Sequence, residues 1–333
     1  MKIAVIGSGG WGTALSNLLA QNGHAVTLWS FLPAESENLR ATGENPLLPG
    51  VSIRPEIAFT SEIACVADAE LAVVATPSFA VRKTAESMKP HLRRETPLVS
   101  VTKGIEAGTS LRMTEILREV TGNPVAALSG PSHAEEVGRG VPTGCVAASQ
   151  EQWLAELVQD TFMNERFRVY STDDVMGVEL GAALKNVIAL CAGISDGMGC
   201  GDNTKALLMT RGLTELARLG LVMGGRKETF AGLTGVGDLI VTCTSMHSRN
   251  RRAGILIGQG KSTEEAMKEV GAVVEGYYAA QSAYELSRKM QVKMPITREA
   301  YAVLYEGKDP REALSCLMTR TRQREIENAG WEK

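Results

Sequence analysis

Met1-Lys2-Ile3-Ala4-Val5-Ile6-Gly7-Ser8-Gly9-Gly10-Trp11-Gly12 decides how the chain is read. A short apolar run feeds directly into G-x-G-x-x-G, and Ala14, Leu15, Leu18 and Leu19 then recur at helical spacing until Gly23 stops the pattern. In this strand-turn-helix context each glycine has a task. Gly7 permits the tight turn, Gly9 lets backbone approach a pyrophosphate, and Gly12 lets helix pack on strand. The helix start adds free N–H groups and the positive end of a dipole. A dinucleotide site is the stronger reading, and a purely structural turn the weaker. The first six residues mimic the start of a signal peptide, but the glycines break the apolar region and no cleavage site follows.

Outward from this unit, short β-branched runs alternate with helical patterns, the signature of β-α-β architecture. Further strands are expected at Ala25–Trp29, Leu71–Ala75, Leu98–Thr102, Val125–Leu128, Gly144–Ala148 and Phe167–Tyr170, with an eight-stranded sheet the expected size. Helical stretches fall near Ser78–Met88, near Ser110–Val120 and from Gln152. After about Asp173 strands cease. Helices are expected at Val178–Ile194, Lys205–Val222, Arg251–Ile257, Thr263–Val270, Glu275–Lys289, Ile296–Tyr305 and Arg311–Leu317, interrupted by a flexible glycine-rich turn at Gly232–Gly237. The fold class is therefore α/β: a Rossmann-type, mostly parallel sheet domain over residues 1–177, then an all-helical domain over 178–333. A cleft is expected beside the connecting helix, since pockets favour domain interfaces.

Bulk properties set the outer limits. With 333 residues, the chain has room for about two domains of roughly 150 residues each. Hydrophobic residues make up 44% and charged residues 22%, which excludes disorder and coiled coil for the whole. Against 35 Lys+Arg stand 38 Asp+Glu, a net charge of -3, so no broad electrostatic grip on nucleic acid or anionic membrane is expected. No apolar run is expected to reach the roughly 18 residues of a spanning helix, so no integral membrane segment is expected and the compartment reads as cytoplasmic. Six cysteines are scattered without a C-x-x-C pair, which suits buried reduced thiols. None of the four histidines stands at ligand spacing from another His or Cys, so no metal site is expected.

Lys185 is the most informative single residue. With Asn186 it interrupts an apolar helix, and its helical neighbours Gly181, Ala182, Ile188 and Ala189 offer no solvated face. Lysine is almost never buried unpaired, so it either snorkels or faces a cleft with a partner, where desolvation suits it to proton transfer. Asp238, after Leu233-Thr-Gly-Val-Gly237, is either a turn former or that partner. His247-Ser248-Arg249-Asn250-Arg251-Arg252 opens a helix with three arginines where the dipole disfavours cations. A bound phosphate would compensate, with Ser248 and Asn250 as neutral donors; a solvated basic patch is the bland alternative. Lys103 and Gly130-Pro131-Ser132-His133 lie where sheet strands end, the edge that faces ligands in such folds. His133, alone on its loop, reads as structural. The second strand ends Leu28-Trp29-Ser30-Phe31-Leu32, with no carboxylate for a ribose 2′-hydroxyl and no arginine for a 2′-phosphate; Glu35 is the first charge.

Taken together the motifs resemble the bacterial-type NAD(P)-dependent glycerol-3-phosphate dehydrogenases, over essentially the whole chain. The resemblance is carried by the glycine fingerprint, Val101-Thr-Lys-Gly-Ile105, Leu128-Ser-Gly-Pro-Ser-His-Ala-Glu135, Phe167-Arg-Val-Tyr170, Gly181-Ala-Ala-Leu-Lys-Asn-Val-Ile188, Thr210-Arg-Gly-Leu213, Gly235-Val-Gly-Asp-Leu239, His247-Ser-Arg-Asn250, Val274-Glu-Gly276 and Met294-Pro-Ile-Thr297. It implies reversible reduction of dihydroxyacetone phosphate to sn-glycerol 3-phosphate, a phospholipid headgroup precursor. By likeness Lys185 exchanges the proton at C2, with Asp238 beside it in the catalytic pair. Lys103, Gly130, Ser132, Lys185, Asp238, Ser248, Arg249 and Asn250 would line the substrate. Besides Gly7, Gly9 and Gly12, Gly10, Trp11, Lys103, Ala134, Arg249, Val273 and Glu275 would touch the cofactor. Phe31 and Leu32 depart from relatives that carry basic residues there, so use of both NADP and NAD is the expectation. A β-hydroxyacid or ketopantoate-type reductase and a non-catalytic dinucleotide sensor are the competing readings. Oligomeric state stays open, a homodimer among the options.

Overall fold

The computed structural model describes residues 1–325; residues 326–333, within the expected second domain, lie outside the described residues. Eight strands form one sheet: β1 (Lys2–Ile6), β2 (Ala25–Trp29), β3 (Ala58–Thr60), β4 (Leu71–Val74), β5 (Leu98–Ser100), β6 (Val125–Ser129), β7 (Thr143–Ala148) and β8 (Phe167–Thr172). Their spatial order is β3-β2-β1-β4-β5-β6-β7-β8, and every neighbouring pair is parallel except β6 with β7. β3 was not anticipated. It is a three-residue edge strand, only partly buried, and so carries no apolar run to read. The sheet is covered on both faces by α1 (Gly10–Gln21), α2 (Pro33–Thr42), α3 (Val81–Met88), α4 (Met113–Thr121), α5 (Ala134–Gly138) and α6 (Gln152–Phe162). Side chains alternate along β1 as a strand requires: Ile3 and Val5 join the core that holds Leu15, Leu19 and Phe162, whereas Ala4 and Ile6 join Val81, Met113 and Ile116 on the other face. α2 also escaped the sequence reading. Only Ser36 and Leu39 are buried in it, so it has no apolar stripe.

The rest is helical: α7 (Val175–Gly197), α8 (Asp202–Val222), α9 (Lys227–Ala231), α10 (Asp238–Thr244), α11 (Arg249–Gly258), α12 (Thr263–Val270), α13 (Glu275–Lys289), α14 (Pro295–Tyr305) and α15 (Pro310–Met318). α7 is the axis of this half, apolar on nearly every side. Among the described residues it is long and apolar enough to cross a membrane, although polar residues interrupt its sequence; it is mostly buried inside the protein. α11 lies against it at backbone distance. A Cβ on Gly193 would sit 2.1 Å from the Arg251 carbonyl oxygen, and one on Gly254 2.1 Å from that of Leu190. Gly197 and Gly258 repeat the contact one turn on. This pairing fixes where the first turn of α11 sits along α7.

All six cysteines are free, but only Cys145 and Cys243 are buried; Cys65, Cys191 and Cys200 are partly exposed and Cys316 is exposed. The expectation of buried thiols is therefore met at two positions and not at the other four: Cys65 lies in a short 3-10 helix, Cys191 within α7, Cys200 in the connection from α7 to α8 and Cys316 in α15.

Candidate active site

Three separate elements converge on one carboxylate. Lys103 follows β5, Lys185 lies in the middle of α7, and Asp238 is the first residue of α10. Gly232–Gly237, expected as a flexible turn, is largely a π-helical turn, Leu233–Gly237. It presses on α7 at Gly181, where a Cβ would lie 2.7 Å from the Thr234 carbonyl oxygen. That close approach sets Asp238 over Lys185: Lys185 Nζ donates to Asp238 Oδ1 at 2.5 Å, while Lys103 Nζ donates to Oδ2 at 2.7 Å and to the Gly130 carbonyl at 2.9 Å. The Gly130 carbonyl also accepts from Ser132 Oγ at 3.0 Å. Gly130 has φ +148°, and a Cβ there would meet the Gly144 carbonyl oxygen at 2.9 Å.

Thr242, which the sequence reading missed, completes the cluster. Its Oγ1 accepts from Lys185 Nζ at 2.5 Å and donates to the Asp238 carbonyl at 2.6 Å. Its place one helical turn after Asp238 was the available signal. An ammonium has three protons, and Asp238 with Thr242 takes two of Lys185's, leaving one for a ligand. Lys185 is 4% exposed. Burial, with Lys103 as a like charge nearby, outweighs the attraction of Asp238 and brings the Lys185 pKa down to about 8. Burial pushes the Asp238 carboxyl the other way, yet Lys103 and Lys185 overcome it and hold Asp238 below its usual range. The cluster is thus an ionised carboxylate clamped by two lysines, one of which is poised to release a proton near neutrality. His133 sits with its ring 5.9 Å from that of His247; burial and the charge of Lys185 lower its pKa, which keeps it neutral.

A second group of predicted residues gathers at the start of α11. Ser248 caps the helix, its Oγ accepting from the Arg251 N–H at 3.2 Å. Arg249 presents an exposed guanidinium. Arg251 instead pairs with Asp196 at 2.7 Å, so part of the anionic compensation expected at this helix start is supplied by the protein itself. Asn250 is buried: its Nδ2 donates to Asn186 Oδ1 at 3.0 Å and its Oδ1 accepts from the Gly276 N–H at 2.8 Å. It thereby ties α7, α11 and the start of α13 together, with one amide proton left over.

The glycine loop has the shape a dinucleotide needs. Gly7 has φ +124°, and a Cβ on Gly12 would collide with the Gly7 carbonyl oxygen at 1.9 Å. No side chain caps α1 and its first turn holds no acid, so an anion would meet uncontested N–H groups. Trp11 packs on the sheet-domain core, and its buried Nε1 has no partner among the described residues. Ala134 opens α5 close to Gly10, since a Cβ on Gly10 would come within 3.8 Å of the Ala134 Cβ. Val273 lies just ahead of α13, and Glu275 is its first residue. Glu275 accepts from the Ser78 N–H at 3.1 Å and from Ser78 Oγ at 2.6 Å, linking the helical half to the sheet. Burial raises its carboxyl above the usual range against the pull of Ser78 and Arg249. A cavity of about 900 Å³ among α8, α14 and α15 holds none of these residues.

Comparison with known proteins agrees with this architecture. The family models for the N-terminus and the C-terminus of NAD-dependent glycerol-3-phosphate dehydrogenase match residues 2–155 and 174–315. The chain is 53% identical to glycerol-3-phosphate dehydrogenase (NAD(P)+) from Thermoanaerobacter sp. (strain X514), over 98% of this chain and 99% of the relative. It is also 53% identical to the enzyme of that name from Moorella thermoacetica, over 99% of each. The crystal structure of glycerol-3-phosphate dehydrogenase from Coxiella burnetii is similar, with a TM-score of 0.93 and 38% identity, covering 96% of this chain and 99% of that one. The chain belongs to the family of NAD-dependent glycerol-3-phosphate dehydrogenases.

Proposed function

We propose that the chain catalyses the reversible, NAD(P)H-dependent reduction of dihydroxyacetone phosphate to sn-glycerol 3-phosphate. The observation that carries the mechanism is the buried Lys185, held by Asp238 and Thr242 with one proton unspent. The bound nicotinamide supplies the hydride to C2 or takes it back. Lys185 donates its free proton to the oxygen developing negative charge at C2, and in oxidation neutral Lys185 accepts the hydroxyl proton. With its pKa near 8, both forms are accessible around neutrality. Asp238 fixes the Nζ position and Lys103 shares the other carboxylate oxygen, which keeps a second cation beside the carbonyl end. Arg249 and the Ser248-capped start of α11 supply the charge and dipole that hold the phosphate.

The same reading places the enzyme in the cytoplasm, where its six free thiols persist reduced, and assigns its product to glycerophospholipid synthesis. Following loss of NADH and NADPH absorbance with dihydroxyacetone phosphate, and separately with ketopantoate and small β-keto acids, tests the proposal. Turnover of the triose phosphate at least about a hundredfold above the acids is expected, because Arg249 and a helix N-terminus favour a dianion. Faster turnover of a carboxylate substrate would reassign the site, and tight cofactor binding without any turnover would reduce the chain to a sensor.

A further inference from the structure

The sequence read position by position leaves cofactor choice open at the end of β2, but the fold brings a carboxylate back to it. Glu35 lies in the first turn of α2, and its Oε2 accepts a hydrogen bond from Ser8 Oγ at 3.2 Å. Ser8 is the second residue of the glycine fingerprint, and its carbonyl is pinned by Asn45 Nδ2 at 2.8 Å. The loop to which Glu35 is tethered is therefore itself held in place. Ser30, directly after β2, is fully buried, and Phe31 and Leu32 are exposed apolar side chains, at 70% and 49%. Arg40, on α2, is engaged elsewhere, donating to the Phe59 carbonyl at 2.5 Å.

We infer that Glu35 is the cofactor-selecting residue and that it makes the chain prefer NADH over NADPH. In glycine-loop folds the pyrophosphate sits on the loop and the adenosine ribose hangs over the end of the second strand, where a carboxylate grips the 2′-hydroxyl and repels a 2′-phosphate. Glu35 reaches that place from the helix after the strand rather than from the strand end. The usual spacing rule passes it over for that reason. The helix dipole steadies a carboxylate in the first turn of α2, so the position tolerates permanent charge.

The inference rests on the loop binding NAD(P)H, and equilibrium binding separates the two. Dissociation constants for NADH and NADPH, without substrate, are measured by tryptophan fluorescence and calorimetry on the wild-type chain, Glu35→Gln and Glu35→Arg. Wild type is expected to bind NADH at least about tenfold more tightly than NADPH, a gap that narrows with added salt because repulsion between charges near water is screened. Glu35→Gln is expected to tighten NADPH by about tenfold with a smaller change for NADH, and Glu35→Arg to invert the preference. Equal affinities in the wild type, or a ratio unmoved in Glu35→Gln, would overturn the assignment of Glu35 alone. Failure to bind either nucleotide would overturn the cofactor reading with it. The side chain is exposed, so unchanged thermal melts of both variants are the expected control.

Discussion

The lysine-carboxylate cluster and the mouth of the glycine loop are built on opposite principles. Around Asp238 every charge is buried or nearly so and each is held by at least one partner from a different element. Around Phe31, Leu32 and Glu35 the side chains are exposed, and one hydrogen bond, from Ser8, defines the arrangement. Low dielectric makes each interaction of the first region strong and each missing partner costly; water makes those of the second weak and easily exchanged. On the proposed reading, the chemistry falls in the region where a lost partner costs most, and cofactor preference in the region where it costs least.

The sharpest way to break that contrast is to remove the buried cation. Lys185→Ala is expected to lower kcat by about 10²–10⁴-fold while cofactor binding persists, because the proposed general acid-base at C2 is removed. Lys185→Met, which keeps the apolar stem, is expected to melt at higher temperature than the alanine variant. Near-normal kcat in either would remove Lys185 from the proton path.

The electrostatic pairing makes a prediction about pH. Burial lowers the Lys185 pKa to about 8, so the protonated form that drives reduction dominates below that pH and is lost above it. Reductive kcat should fall tenfold per pH unit beyond about 8, and oxidative kcat should rise through the same midpoint. In Asp238→Asn the raising influence on Lys185 is gone, and both midpoints are expected to move to lower pH. Midpoints unmoved in that variant would show that another group titrates.

At the half-exposed start of α11 the effect should be smaller and fall on substrate binding. Arg249→Ala is expected to raise KM for dihydroxyacetone phosphate by about 10–100-fold, from a charge-assisted contact of about 1.5–3 kcal/mol, and Arg249→Lys to recover only part of it. A KM unchanged in steady-state kinetics would place the phosphate elsewhere. The smallest change belongs to the exposed mouth: Phe31→Arg should shift the kcat/KM ratio toward NADPH by about tenfold or less, because Glu35 remains to oppose it. A larger shift would mean that position 31, not Glu35, dominates selection.

What the sequence by itself determined follows from short-range regularities. The continuous apolar run of β1, buried on both faces, the helical spacing after Gly12, and a lysine stranded in an apolar helix are all visible within a few residues, because backbone geometry repeats locally. Lys185 and Arg249 could be singled out because each violates its local pattern, Lys103 because it follows a strand end, and Asp238 because it stands between a glycine-rich turn and an apolar run. Only the tertiary structure decided which of them meet. Asp238 reaches Lys185 because Gly181 lets the Thr234 carbonyl touch α7, and Asn250 turns inward because the Gly193 and Gly254 contacts seat α11 against that helix. The Lys185–Thr242 contact, the Arg251–Asp196 pair and the return of Glu35 to Ser8 likewise join positions whose separation in the chain carries no period. Such contacts are set by how closely two backbones can pack, and that depends on atoms absent from glycines far away in the sequence, which no local pattern records.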